Sequence, residues 1–171
     1  MNTGEEMETY LGVKLIKAMP MNRQTYNDYR GWQLPADENG SDEGRLVEYI
    51  DGGEPNHLNH AGYISWSPEG VFERAYRETS GMTFGLATEA AKLGNKVARV
   101  GWNGVGMFAY IVPAANYHAQ NDIARDYFGD GRGKPNVPYR AYWALKTAQN
   151  DIATWAPSGS DSLAEDWMII N

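Results

Sequence analysis

The apolar residues of this chain fall in short runs, and nearly every run is closed by Gly, Pro, Asn or Asp. In the first half, residues 10–18 read as a strand. Asn22 is placed to cap a short helix that runs to about residue 29 and stops at Gly31. Residues 35–44, PADENGSDEG, are turn formers and acids. Residues 46–50 read as a strand closed by Asp51-Gly52-Gly53, residues 54–60 as a polar loop, and residues 63–66 as a third strand. Ser67-Pro68-Glu69 has the order of a helix start: Ser as cap, Pro at the first helical position, an acid in the first turn. That helix would carry Val71, Phe72, Ala75 and Tyr76 on one face and end near Arg77. Residues 1–8 read as a disordered leader, and residues 78–81 as a short polar linker.

The second half restarts with Thr83 as the cap of a helix whose apolar stripe is Phe84, Ala87, Ala90, Ala91 and Leu93, ended by Gly94-Asn95. Strands follow at residues 96–100 and 107–112, joined by the loop Gly101-Trp102-Asn103-Gly104-Val105-Gly106. Residues 114–138 form an excursion with a helix around 118–128 and a Gly- and Pro-rich loop, GDGRGKPNVP. Residues 139–147 read as a strand, Asn150-Asp151 as a turn, 152–155 as its return, 162–165 as a short helix and 167–170 as the final strand. One helix followed by an antiparallel meander is an α+β arrangement. The pattern predicts a small α+β module over residues 1–81 and a small antiparallel-sheet module with one leading helix over residues 82–171.

Charge separates the same two segments. The net charge is −7. Residues 1–81 hold 7 basic and 14 acidic side chains, whereas residues 82–171 hold 8 of each, so the whole excess of acid lies in the first segment. Clustered Lys and Arg are needed to neutralise a phosphate backbone, so binding of a nucleic-acid polymer is disfavoured. A small anion in a local pocket remains compatible, because one or two cations and a few N–H groups suffice. No apolar run approaches 18 residues, which disfavours a membrane span. The acidic start, MNTGEEMETY, does not resemble a secretory signal. There is no cysteine, hence no disulfide, thiolate nucleophile or Cys-ligated zinc. The 6 Trp and 11 Tyr are many for this length and serve either as core or as platforms for a base or sugar.

Candidate chemistry is sparse. His57 and His60, in the loop HLNH, have the spacing of a metal pair, but such a loop places histidines at the surface by default. No G-x-S-x-G or H-E-x-x-H pattern occurs. Asp37, Asn39, Ser41, Glu43 and Glu48 follow the spacing of a calcium loop, yet Asp42 stands where the sharp turn needs Gly. The loop 101–106 holds three Gly between two strands. It reads equally as a hairpin that needs positive φ, or as backbone approaching a ligand with Trp102 and Asn103 at its tip. In the segment from Ala153-Thr-Trp155 through Ser158, Ser160 and Asp161 to Asp166-Trp167, small hydroxyl residues and Trp crowd a strand end, and Ser160 or Asp161 reads as the cap of the short helix that follows.

The motifs Arg99-Val-Gly-Trp-Asn-Gly-Val-Gly-Met-Phe108, Tyr139-Arg-Ala-Tyr-Trp-Ala-Leu-Lys-Thr147, Thr154-Trp-Ala-Pro-Ser158 and Leu163-Ala-Glu-Asp-Trp167 together resemble the second family of phage anti-Thoeris proteins, formerly an uncharacterised phage domain. The resemblance covers residues 82–171. It implies a non-enzymatic sponge, without catalytic residues, metal or cofactor, acting in the cytoplasm of the infected bacterial host. Such a sponge holds cyclic ADP-ribose isomers, and in some members cyclic dinucleotides of the CBASS pathway, in pockets between the protomers of a homo-oligomer, a dimer or tetramer. Carried onto this chain, the implied lining residues are Trp102, Asn103, Met107, Phe108, Thr154, Trp155, Ser160 and Asp161. Arg99 and Arg140 are added as partners for a pyrophosphate on grounds of charge.

Residues 1–81 resemble a module of unknown role found on other phage proteins. Two other readings stay open: an enzyme that degrades the same signals with carboxylates of the acidic half, and a structural or adaptor protein of the virion.

Overall fold

The computed structural model describes residues 9–129 and 133–171. The leader expected at residues 1–8, and residues 130–132 of the Gly- and Pro-rich loop, lie outside these. The chain divides into two compact units, Met1–Arg77 and Glu78–Asn171. Both mix helices with small antiparallel sheets, an α+β class. No helix among the described residues is long and apolar enough to cross a membrane.

The first unit is built on a three-stranded antiparallel sheet in sequence order: β1 (Ile16–Pro20), β2 (Gly44–Tyr49) and β3 (Tyr63–Pro68). β1 begins later than expected, and residues 10–15 stay outside the ladder. Between β1 and β2 lies α1 (Arg23–Arg30), started and stopped by local chemistry. The Asn22 carboxamide accepts from Thr25 N at 2.8 Å, and Gly31 takes the left-handed conformation that a side chain would resist. Trp32 N then reaches back to Asn27 O at 2.8 Å, which closes the helix end. Tyr26, Leu46 and Ile64 form the core, with Met21, Tyr29 and Trp66 packed against them. The Trp66 ring has the Arg23 guanidinium on it at 4.6 Å, and its edge lies so close to Gly44 that a Cβ there would collide with it. α2 (Glu69–Ala75) follows β3 directly. Ser67 does not cap it: residues 67 and 68 are still paired with β2, and the Ser67 hydroxyl turns to Pro68 O. The ladder to Arg45 and Gly44 outcompetes the capping signal that Ser-Pro-Glu presents in isolation.

The second unit opens with α3 (Phe84–Lys92), capped by Thr83, whose hydroxyl accepts from Leu86 N. Ala87, Ala90 and Ala91 are buried, whereas Leu93, expected in the same stripe, is 65% exposed because it lies past the last helical turn. A five-stranded antiparallel sheet runs in the order β10-β4-β5-β8-β9. Its strands are β4 (Lys96–Arg99), β5 (Phe108–Val112), β8 (Tyr142–Lys146), β9 (Ile152–Thr154) and β10 (Trp167–Ile170). This is not the simple meander expected, because the last strand crosses the sheet to pair with the first. Trp167 lies opposite Arg99, and Met82 exchanges two backbone hydrogen bonds with Trp167. The excursion is also richer than expected. β6 (Ala115–His118) and β7 (Asn136–Tyr139) pair as a separate ribbon, with α4 (Asp122–Phe128) between them. The single strand expected over residues 139–147 is thus broken at Arg140-Ala141, where the chain passes from ribbon to sheet.

Alternation along the strands separates the two faces of the five-stranded sheet. Val97, Ala109, Ile111, Trp143, Leu145 and Trp167 pack with α3 into the core. The opposite face carries Lys96, Phe108, Tyr110, Val112, Tyr142, Lys146 and Thr154.

Candidate functional site

The loop after β4 and the turn before β10 meet at one ionic cluster. α5 (Gly159–Ser162) is a single turn of helix capped by Ser158. The Ser158 hydroxyl accepts from Asp161 N at 3.1 Å, and the Asp161 carboxylate accepts from Ser158 N at 3.0 Å and from the Ser158 hydroxyl at 2.7 Å. This reciprocal box makes Ser158 the cap and puts Asp161 inside the helix, so neither Ser160 nor Asp161 caps, and the helix starts earlier than expected. Ser160 is exposed, and its hydroxyl lies 2.9 Å from that of Ser158.

Asp161 is 8% exposed and accepts two more bonds, from Arg99 Nη1 at 3.0 Å and from Trp102 Nε1 at 3.2 Å. Burial pushes its carboxyl up, but the Ser158, Arg99 and Trp102 donors together hold it at about 2. Arg99 also donates from Nε to Asp166 at 2.7 Å, and Asp166 in turn accepts from Gly101 N at 3.0 Å. The hydrogen bond from Arg99 holds the Asp166 carboxyl below the usual range. The cluster clamps the start of the Gly101–Gly106 loop onto α5 and the root of β10.

The positions expected to line a pocket are therefore only partly brought together. Arg99, Trp102, Trp155 and Asp161 do meet. The Trp102 ring stands edge-to-face on Trp155 at 5.8 Å and on Trp167 at 5.4 Å, joining a core cluster with Phe84 and Trp143. Trp102 is thus half-buried and tied at its nitrogen, a packing residue more than an open platform. Arg99, expected as a pyrophosphate partner, is held in the clamp: Nε, Nη1 and Nη2 each donate to Asp161 or Asp166. One cation between two carboxylates leaves the trio net negative.

Asn103 is exposed in the loop, and Met107 packs on Gly104, where a Cβ would strike its sulfur. Phe108 and Thr154 lie on the face of the sheet away from Trp102. There the Lys96 ammonium sits 5.5 Å from the Phe108 ring, and Lys146 is directly cross-strand from Phe108. Arg140 is exposed beyond Tyr142, at the opposite end of β8 from Lys146, and is not brought to the Arg99 cluster.

Asp166 and Ser158 fall inside the motifs quoted above but are not among the expected lining residues, and the structure adds both to the cluster. The Ser158-x-x-Asp161 spacing carried the signal for one of them. Asp166 had no local signal, since its partner lies 67 residues away.

The two features that suggested metal chemistry resolve into structural contacts. His57 stacks on Tyr29 with centroids 4.3 Å apart, and its Nε2 meets Tyr29 O at 3.3 Å. His60 bridges the Tyr29 hydroxyl at 3.0 Å and Glu48 at 3.2 Å. Glu48 also accepts from Ala61 N and Gly62 N, so it points away from the 37–43 loop of the proposed calcium spacing. No group of metal-ligating side chains is assembled among the described residues.

The Thoeris anti-defense 2-like domain family matches residues 82–170. Thoeris anti-defense 2 of Bacillus phage SP01 is 38% identical over 91 residues, which cover 53% of this chain and 96% of that protein. The match spans the loop, the ionic clamp, both faces of the sheet and nearly the whole second unit, and on it the chain belongs to the Thoeris anti-defense 2-like family of phage anti-defence proteins.

Proposed function

We propose that the second unit binds and sequesters cyclic ADP-ribose-type signalling molecules in the cytoplasm of the infected host. Cyclic dinucleotides form a further ligand class. The ligand is not degraded, and the Thoeris or CBASS effector that would respond to it stays inactive. The family match over residues 82–170 carries this reading.

The geometry supports it in two respects. The open face of the sheet combines rings (Phe108, Tyr110, Tyr142) with the cations Lys96 and Lys146, the combination that suits a base and a phosphate. Among the described residues the helix packed on this sheet, α3, lies on its other face, and large apolar side chains are exposed on the adjoining ribbon and α4: Tyr117 45%, Ile123 83%, Tyr127 82% and Tyr139 41%. Faces of this composition are buried by association, so the pocket is completed by a second copy of the chain in a dimer or tetramer. Thr154 supplies a hydrogen-bonding group on that face, and Asn103 and Ser160, exposed on the loop and on α5, are further lining positions of the proposed site. Phosphate charge falls to the lysines of the open face and to Arg140, since Arg99 is committed to Asp161 and Asp166.

The test is a thermal-shift panel of cyclic ADP-ribose isomers and cyclic dinucleotides, followed by chromatography of the ligand after denaturation. A binder raises the melting temperature by mass action, and the ligand returns intact. Absence of any shift, or accumulation of products with time, would overturn the proposal; the second outcome would make the protein an enzyme.

A further inference from the structure

The first unit contains a cleft of about 370 Å³ that the reading above does not use. It lies between α1, the loop that follows it, and β3. Its walls are Tyr26, Trp32, Tyr63 and Trp66, with Arg30 and Asn27 among its polar groups. The volume is at the small end of the roughly 300–1,000 Å³ typical of ligand sites, so it fits one small molecule and not a folded partner.

Three observations define its chemistry. First, Trp32 is 52% exposed, yet it is not loosely placed. The left-handed Gly31 and the bond from Trp32 N to Asn27 O fix its backbone, and Tyr26 stands edge-on to the ring at 6.2 Å. A rigid, half-exposed indole over a cavity is a stacking platform.

Second, the Arg30 guanidinium lies over the Trp32 ring at 4.2 Å. Stacking engages the face of a guanidinium and leaves its in-plane N–H groups available. Its one other contact is a long bond to the Tyr26 hydroxyl, at 3.5 Å, and no carboxylate pairs with it among the described residues. The other cation of the cleft, Arg23, is by contrast ion-paired to Glu38.

Third, the charged lining of Arg23, Arg30 and Glu38 is net positive, within a segment that is otherwise strongly acidic. A local cation kept unpaired in acidic surroundings selects an anion.

We propose that this cleft binds a nucleoside monophosphate, with the base stacked on Trp32 and the phosphate held by Arg30. The site is distinct from that of the second unit and does not depend on its ligand.

Isothermal calorimetry on the full chain tests it, with AMP, UMP, adenosine and inorganic phosphate as probes. Both nucleotides are expected to bind, since stacking tolerates any base. Adenosine should bind at least tenfold more weakly, and phosphate alone should give no heat. Trp32→Ala should weaken AMP binding at least tenfold. Arg30→Gln should do the same for AMP and leave adenosine unchanged. Asn103→Ala, in the other unit, should leave the affinity for AMP as in wild type. Tyr63→Leu on the facing wall, which alters neither α1 nor its end, should also weaken binding and guards against misfolding of the Trp32 variant. The proposal is overturned if neither nucleotide binds at millimolar concentration, if AMP binding survives both Trp32→Ala and Tyr63→Leu, or if only Asn103→Ala abolishes it.

Discussion

Replacing Asp161 by Asn probes the clamp that holds the loop after β4. The carboxylate takes four donors: the Ser158 amide and hydroxyl, Arg99 and the Trp102 indole. Its carboxyl is lowered from 3.8 to about 2. At roughly 1.4 kcal/mol per pKa unit, the folded state gains about 2 kcal/mol from this ionisation. A depressed folded-state pKa means that this stability is fully present above pH 4 and is lost as pH falls through about 2. Asn offers one acceptor oxygen where the carboxylate offers two, and it turns an amide N–H₂ toward existing donors. The cost at neutral pH is therefore about 2–4 kcal/mol, the range for removing one partner of a buried charged network. Urea unfolding of wild type and Asp161→Asn, followed by tryptophan fluorescence between pH 2 and pH 7, measures both quantities. Lowered carboxylates outside the clamp, such as Glu48 and Glu69, titrate alike in both proteins and cancel in the difference between the two curves, which then reports Asp161 together with Asp166, coupled to it through Arg99. The gap should be widest above pH 4 and narrow by about 2 kcal/mol toward pH 2. Parallel curves would refute the claim that the ionised carboxylate stabilises the clamp.

Other substitutions separate packing from binding. Trp102→Ala removes a ring packed on Trp155 and Trp167 and should destabilise the second unit by about 3–5 kcal/mol in denaturant unfolding, with Trp102→Phe intermediate. Asn103→Ala, at an exposed position, should leave the melting temperature within about 1 °C of wild type and lower retention of cyclic ADP-ribose isomers in equilibrium dialysis. Gly44→Ala sets a methyl group against Trp66 and Ser67 O and should cost the first unit about 1–3 kcal/mol, read from chemical unfolding. Thr83→Ala removes the cap of α3 and should cost the second unit about 1 kcal/mol by the same measurement.

What could be read from the chain was what local chemistry decides. Asn22 and Thr83 cap their helices because a short polar side chain reaches an N–H three residues on, whatever the rest of the protein does. Gly31 and Asn150 sit at positive φ for equally local reasons. Ser67 misled because a ladder to a strand more than twenty residues earlier claimed its backbone. The placement of β10 could not be read, since a strand's pattern states which face is apolar but not which neighbour it joins.

The site divides along the same line. Glycines at 101, 104 and 106 marked the loop, but whether Trp102 pointed outward or into the core depended on Asp161 and Trp167, far away in sequence. Arg99 looked like a free cation because both of its acids lie more than sixty residues downstream. The division of Phe108 and Thr154 from Trp102 and Trp155 follows from strand alternation once the register is known, and the register is a tertiary fact.

The pairing of β10 with β4 has a consequence for biogenesis and for modular use. Trp167, the largest fully buried side chain, is donated by the last strand, and its backbone is tied to Met82 at the unit's other end. A nascent chain on the ribosome holds α3 and four strands without the residue that completes their core, so this unit can close only after its final segment has left the exit tunnel. The same closure brings entry and exit points side by side. A unit shaped in this way can be joined to an unrelated neighbour by a single covalent link, without threading through it or lending it a strand.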